Sequence, residues 1–262
     1  MNLEVVTKAP ESNAHSTPIL FVHGMWHAAW CWAEHFLPYF ARRGYRCYAL
    51  SLRGHGSSDG HKRLRWTSLT DYVSDVRQVV RRIQPALALV GHSMGGMVVQ
   101  EMLELNGAPA AVLLASAPPG GLISATVRVA RRHPRAFTKA NTTLSLLPLV
   151  RNPEMAREAL FSADMPDEEV SRYASLLRDE SYRAYLDMML QGLPRPKQVD
   201  TSVLDLGAAD DSLISRGEVD ATAQVYNTAA EVFRHTAHDM RLEATWQAAA
   251  DRILRWLGEQ SL

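Results

Sequence analysis

The feature that most restricts how this chain can fold is the run Leu87-Ala88-Leu89-Val90-Gly91-His92-Ser93-Met94-Gly95-Gly96. Leu87 to Val90 reads as a buried apolar strand and Gly95 to Leu105 as a helix, so a G-x-S-x-G pattern falls in a strand-to-helix turn. Such a turn is sharp, and a Cβ two residues either side of Ser93 would collide with neighbouring backbone. The strain lifts the serine hydroxyl to the top of a sheet, beside a helix N-terminus whose N–H groups and dipole favour developing negative charge. Ser93 is therefore the candidate nucleophile. The plain alternative is a bystander serine between ordinary turn glycines, and the strand and helix on either side weigh against it.

Around this turn the patterns alternate. Leu3 to Thr7 reads as a short antiparallel strand entering the turn Pro10-Glu11-Ser12-Asn13, and Pro18 to Val22 as a buried strand entering the tight loop at His23-Gly24. Helical spacing covers Trp32 to Arg43 and Leu69 to Ile83, with strands at Arg46 to Leu50 and Ala111 to Leu114. Repeated strand–helix units imply right-handed crossovers and a mostly parallel sheet with helices on both faces, an α/β fold. From Leu122 to Lys197 only helix-like segments occur (Ser124 to Arg132, Pro153 to Leu160, Asp167 to Leu177, Ser181 to Leu190), so residues 122–197 are expected to be a helical cap inserted into a core of 1–121 and 198–262. The sheet pattern resumes at Ser202 to Leu206, followed by a helix at Glu218 to Asn227, a strand at Ala230 to Phe233 and an amphipathic helix at Thr245 to Leu257.

A length of 262 residues suits one core with an insertion, and 47% hydrophobic with 21% charged residues is the balance of a globular protein. Lys plus Arg and Asp plus Glu both number 28, so there is no global field for a phosphate backbone or anionic lipid, and nucleic acid is not an expected partner. The densest basic stretches, Arg128 to Arg135 and His61 to Arg65, read as a solvated helix face or loop. Cys31 and Cys47 are too few for a disulfide framework or a four-cysteine zinc site and read as buried thiols. Met1 to Pro10 carries Glu4 and Lys8 and lacks the apolar core of a signal peptide, and no apolar run is long enough for a membrane span. A cytoplasmic monomer or homodimer is the expectation.

Five landmarks, Phe21-Val22-His23-Gly24, Arg53-Gly54-His55-Gly56-Ser57-Ser58, Gly91-His92-Ser93-Met94-Gly95-Gly96, the Asp210-Asp211 loop and Ala237-His238-Asp239-Met240, together resemble the α/β-hydrolase superfamily nearly end to end, and specifically its small capped esterase-like members. The stretch His23-Gly24-Met25-Trp26-His27-Ala28-Ala29-Trp30 also resembles the plant methyl esterase and hydroxynitrile lyase branch. Such lyases carry threonine at the Gly24 position and lysine just after the catalytic histidine, where this chain has Asp239. Serine at position 93 is unlike the dehalogenase and epoxide hydrolase branches, which use aspartate.

A serine hydroxyl is a poor nucleophile at neutral pH and needs a histidine base oriented by a carboxylate. The chain order of this fold, serine then acid then histidine, leaves His235 and His238, of which His238 is better placed a few residues beyond the strand Ala230 to Phe233. The acid should follow the strand Ser202 to Leu206. Asp211 is chosen because Leu213 and Ile214 then fill the apolar positions that follow the acid in similar hydrolases, with Asp210 as the alternative. Backbone N–H groups of Met25 and Met94 are the expected oxyanion donors, His23 is expected to fix that loop, and Trp26 and His27 are candidates to line the substrate pocket. The cap contributes Leu144, Leu146, Leu147, Leu149, Leu160, Phe161, Met188 and Met189, which would enclose an apolar pocket or form the cap's own core.

The reaction expected is hydrolysis of a small to medium hydrophobic carboxylic ester through an acyl-serine, with no metal or organic cofactor. Carbon–carbon bond, lactone or thioester hydrolysis, or attack of peroxide on the acyl-enzyme, would use the same residues. A hydroxynitrile lyase-like enzyme and a non-catalytic ligand-binding relative are the remaining alternatives.

Overall fold

The computed structural model describes residues 1–11, 14–83, 86–190, 193–196 and 199–262. Ser12 and Asn13 of the expected first turn, and the expected cap boundary between Lys197 and Gln198, lie outside these residues. The strands are β1 (Val5–Lys8), β2 (Ile19–Val22), β3 (Cys47–Leu50), β4 (Ala88–His92), β5 (Ala111–Leu114), β6 (Val203–Ala208) and β7 (Ala230–Phe233). They form a single sheet in the order β1-β3-β2-β4-β5-β6-β7. β1 runs antiparallel to β3, with Val5 opposite Leu50, and every other neighbour is parallel.

A parallel sheet is covered on both faces, which is why β2 and β5 are apolar and buried throughout. Alternation along β2 sends Ile19 and Phe21 to one face and Leu20 and Val22 to the other. The first face packs on α1 (Trp30–Ala33), α2 (Phe36–Arg42) and the C-terminal α11 (Trp246–Glu259) through Trp32, Phe36, Phe40, Ile253 and Leu257. The second packs on α3 (Leu69–Val80), α4 (Met94–Asn106) and α10 (Arg216–Val225) through Tyr72, Val76, Met97, Val98 and Val219.

Between β5 and β6 the chain forms α5 (Ile123–Arg132), α6 (Pro134–Thr143), α7 (Pro153–Leu160), α8 (Asp167–Leu176) and α9 (Tyr182–Leu190), with no strand among the described residues of that segment. It is sutured to both cores, by Leu160, Phe161, Val170 and Tyr173 on one side and by Ala184 and Met188 on the other.

One expected helix is broken. Residues 32–43 divide into α1 and α2 at His35, whose φ of −127° is not helical. Pro38 has no N–H to donate to the Glu34 carbonyl and its ring would crowd that turn, so the helix restarts with Pro38 in its first turn.

The strand order locates the site. β2 and β4 are neighbours, yet the chain leaves β2 toward β3 on one side and leaves β4 toward β5 on the other. Their C-terminal loops diverge and leave a crevice at that switch point. The two loops are His23-Gly24-Met25 and the Ser93 turn.

Candidate active site

Ser93 adopts φ 52° and ψ −121°, a strained conformation for a residue with a side chain. Close packing holds it there. A Cβ on Gly95 would lie 2.4 Å from the carbonyl oxygens of both Val22 and His23, so β2 presses directly on the turn. Gly24 is equally confined, since a Cβ there would come within 2.8 Å of Ser93 Cβ and of His92 Nδ1. The Met25 N–H has no acceptor among the described residues, and Met94, first in α4, has no carbonyl one turn back in the helix to accept its N–H. The Ser93 hydroxyl likewise makes no hydrogen bond to a described residue.

The other two expected partners meet. His238 Nδ1–H donates to Asp211 Oδ2 at 2.8 Å, both side chains being almost fully buried. Asp211 Oδ1 accepts from the N–H groups of Leu213 at 2.7 Å and Ile214 at 2.9 Å, which fixes the plane of the carboxylate. Asp210 is exposed, and its carboxylate has no partner among the described residues. His235 is exposed on the loop at φ 53°. His92 Nε2–H donates to the His238 carbonyl at 2.8 Å, and the two rings lie 4.8 Å apart, so the His238 loop is fastened to the residue preceding Ser93.

Beneath the loops lie buried polar groups. His23 donates from Nδ1 to the Gly24 carbonyl at 2.8 Å and accepts the Leu52 N–H on Nε2 at 3.1 Å, pinning the loop after β2. Burial holds the pKa of His23 and of His92 well below the ordinary histidine value. Asp239, next to His238, is enclosed with Arg241 at 3.0 Å and His27 at 3.0 Å, all with almost no exposure. Burial alone would raise the Asp239 pKa, but Arg241 and then His27 hold it far below the ordinary range. For His27 burial wins over Asp239, and its pKa is lowered. On the other side of the loop after β2, Glu180 accepts from Tyr72 Oη at 2.6 Å and the Trp26 N–H at 3.4 Å and lies 3.2 Å from His55 Nε2.

A cavity of about 70 Å³ opens on Ser93, walled by Met25, Trp26, Leu122, Val129, Leu149 and Leu213 among others. Trp26, held at φ 67°, therefore stands beside Ser93, whereas His27 turns inward to Asp239 and is absent from the wall. Of the eight apolar insertion residues considered for a pocket, Leu146 and Leu149 line it. Leu160, Phe161 and Met188 are buried in the cores, and Leu144, Leu147 and Met189 pack against them. Sequence reasoning did not find the Glu180–His55–Tyr72 or the Asp239–Arg241–His27 group. Their members come from distant segments, and no local pattern marks them.

Residues 19–252 match the alpha/beta hydrolase family, and the chain belongs to it. A non-heme chloroperoxidase of Burkholderia pyrrocinia is 35% identical over 112 residues, 39% of this chain and 38% of that protein. Protein phosphatase methylesterase 1 of Mus musculus is 32% identical over 103 residues, 38% of this chain and 26% of that one, so each match spans well under half of the relative's length. The monoacylglycerol lipase of Paleococcus ferrophilus has the same fold, with a TM-score of 0.75 and 19% identity over 99% of this chain and 100% of that one.

Proposed function

We propose that this α/β hydrolase cleaves a small to medium hydrophobic carboxylic ester, with Ser93, His238 and Asp211 as its catalytic residues. The observation that carries the reading is the Asp211–His238 hydrogen bond, buried and tied through His92 to the strained Ser93 turn. His238 Nε2 takes the proton of Ser93 as its Oγ attacks the ester carbonyl, and the Met25 and Met94 N–H groups bind the oxyanion. The protonated His238 then gives its proton to the departing alkoxide, leaving an acyl-Ser93. Water deprotonated by His238 hydrolyses that ester by the same route. Asp211 holds the tautomer with the proton on Nδ1 and stabilises the imidazolium. Residues 122–197 act as a cap, and Trp26 lines the substrate pocket. His27, expected beside Trp26, acts from beneath the loop.

A panel of p-nitrophenyl esters tests this directly, run on the wild type and Ser93→Ala. Wild-type turnover with loss in the variant supports the reading, as does fluorophosphonate labelling abolished by Ser93→Ala; labelling that persists assigns the chemistry to another residue. The similarity to a protein named as a chloroperoxidase favours one second reading, in which hydrogen peroxide replaces water at the acyl-enzyme. Peracid formation in the same assay distinguishes it.

A further inference from the structure

The cavity at Ser93 adjoins a second one of about 450 Å³, and Trp26, Val129, Leu149 and Leu213 line both. The helical period of α5 divides them. Leu122, Ala125, Thr126 and Val129, spaced i, i+3, i+4 and i+7, line the inner cavity, while Arg128, Arg131 and Arg132, spaced i, i+3 and i+4, line the outer. Arg128 is committed to Glu218 at 2.5 Å and to the Leu213 carbonyl. Arg132 lies 3.9 Å from Glu158, which also takes His133 Nε2 at 3.0 Å. Arg131 is exposed and has no partner among the described residues.

The local excess of positive charge is written into the chain. No Asp or Glu occurs from residue 105 to residue 153, a stretch that includes all of α5 and α6, in a protein with 28 acidic and 28 basic side chains. Within the stretch Arg128 to Arg135, read from the sequence as a solvated helix face or loop, Arg131 and Arg132 are exposed and, with Arg128 and His133, line one wall of the outer cavity.

Building on the ester-hydrolase reading, we propose that the substrate is an amphiphilic anion. Its apolar part fills the slot over Ser93, and a carboxylate or similar oxyanion at its far end is held by Arg131 with Arg132 beside it. Ala125 to Arg132 is about 10 Å along a helix axis, which separates charge and scissile carbonyl by roughly six to eight bonds. A planar guanidinium pairs with a carboxylate through two parallel hydrogen bonds, and at an exposed site that attraction is screened by salt.

The test uses matched pairs that differ only in charge. On the acyl side they are the p-nitrophenyl hemiester of suberic acid and its methyl ester; on the alcohol side, 4-butyryloxybenzoate and its methyl ester. The readout is the anion-to-neutral ratio of kcat/KM, which in one of the two arms should fall about three- to fivefold on passing from wild type to Arg131→Gln, the loss residing in KM. Arg131→Lys should restore part of it, Arg135→Gln, outside the cavity wall, should leave it as in wild type, and high salt should shrink it wherever position 131 keeps its charge and not in Arg131→Gln. A ratio indifferent to Arg131→Gln in both arms overturns the inference while leaving the esterase standing. Absence of turnover on every member of both pairs, with Ser93 still labelled by fluorophosphonate, overturns the ester reading and this inference with it.

Discussion

Asp211→Asn is a stringent perturbation, because the structure dictates how the new amide must sit. In the wild type Asp211 Oδ1 accepts two backbone N–H groups, from Leu213 and Ile214, and Oδ2 accepts the His238 Nδ1–H at 2.8 Å. An asparagine in the same place keeps both backbone bonds only if its oxygen takes the Oδ1 position, which turns its NH2 toward His238. Donor then faces donor, and His238 must move its proton to Nε2 to accept from the amide. That nitrogen can then no longer take the Ser93 proton. Flipping the amide would trade this for two donor–donor contacts with Leu213 and Ile214, each leaving a buried group unsatisfied at about 1–3 kcal/mol, so the wrong tautomer prevails. The expected loss in kcat is about 10⁴-fold with little change in KM, and fluorophosphonate labelling of Ser93 should slow in parallel. Stability should fall by only about 1.5–3 kcal/mol, the worth of one charge-assisted hydrogen bond. Asp210→Asn, at an exposed carboxylate without a partner among the described residues, should stay within about ±0.5 kcal/mol and within about twofold in kcat. Steady-state kinetics and urea titrations on the two variants decide the matter. A larger loss at Asp210, or more than about a tenth of wild-type kcat in Asp211→Asn, would refute the assignment.

Gly24→Ala brings a methyl group within 2.8 Å of Ser93 Cβ and His92 Nδ1, so the loop bearing the Met25 N–H must retreat, and kcat should fall about 10²- to 10³-fold; a loss under threefold would disconnect that loop from catalysis. Arg241→Met leaves the Asp239 carboxylate buried without its main counter-charge and should cost about 3–5 kcal/mol in urea unfolding, part of it recovered in Asp239→Asn/Arg241→Met. A cost below about 1 kcal/mol would mean that His27, at 3.0 Å, and His92, whose Nε2 lies 3.7 Å from Asp239 Oδ1, suffice. For the Glu180–His55 pair, burial depresses the His55 pKa but Glu180 overcomes it and raises it above 6.5, while His55 and Tyr72 hold Glu180 below 4.5 against burial. The His55 contribution is whole below pH 6.5 and fades as pH rises through its raised value; that of Glu180 is whole above 4.5 and fades in stronger acid. The gap in Tm between wild type and His55→Gln should therefore be widest between those values and narrow in alkali, and a gap that stays level with pH would show that the pair is not ionised.

Much of the fold was legible because its signals are local. The buried strands and the glycine-flanked serine each occupy a short window, and steric exclusion acts over a few residues; the lack of strands between β5 and β6 was legible as a lapse of the same local pattern. Asp211 faces His238 for a different physical reason from the one that suggested it: the N–H groups of Leu213 and Ile214, rather than their apolar side chains, position the carboxylate. Trp26 and His27 are adjacent in sequence yet point into different surroundings, since the positive φ at Trp26 turns the chain there, a conformation no residue type in the window demanded. The break at His35 was available in advance from Pro38. Glu180 and Arg241 were not, because a buried charge is identified by partners from other segments and by desolvation, neither of which has a periodicity.

Glu180 has a consequence for anyone who would trim or exchange the insertion. It belongs to the segment between β5 and β6 and accepts the Ser181 N–H there, but its other partners, His55, Tyr72 and the Trp26 N–H, belong to the sheet scaffold. A shortened chain would strand those donors in a dry interior, and a borrowed insertion would inherit the same debt at position 180. Modularity here ends at one carboxylate: the segment that contributes no strand has become structural mortar for the sheet that the other segments build.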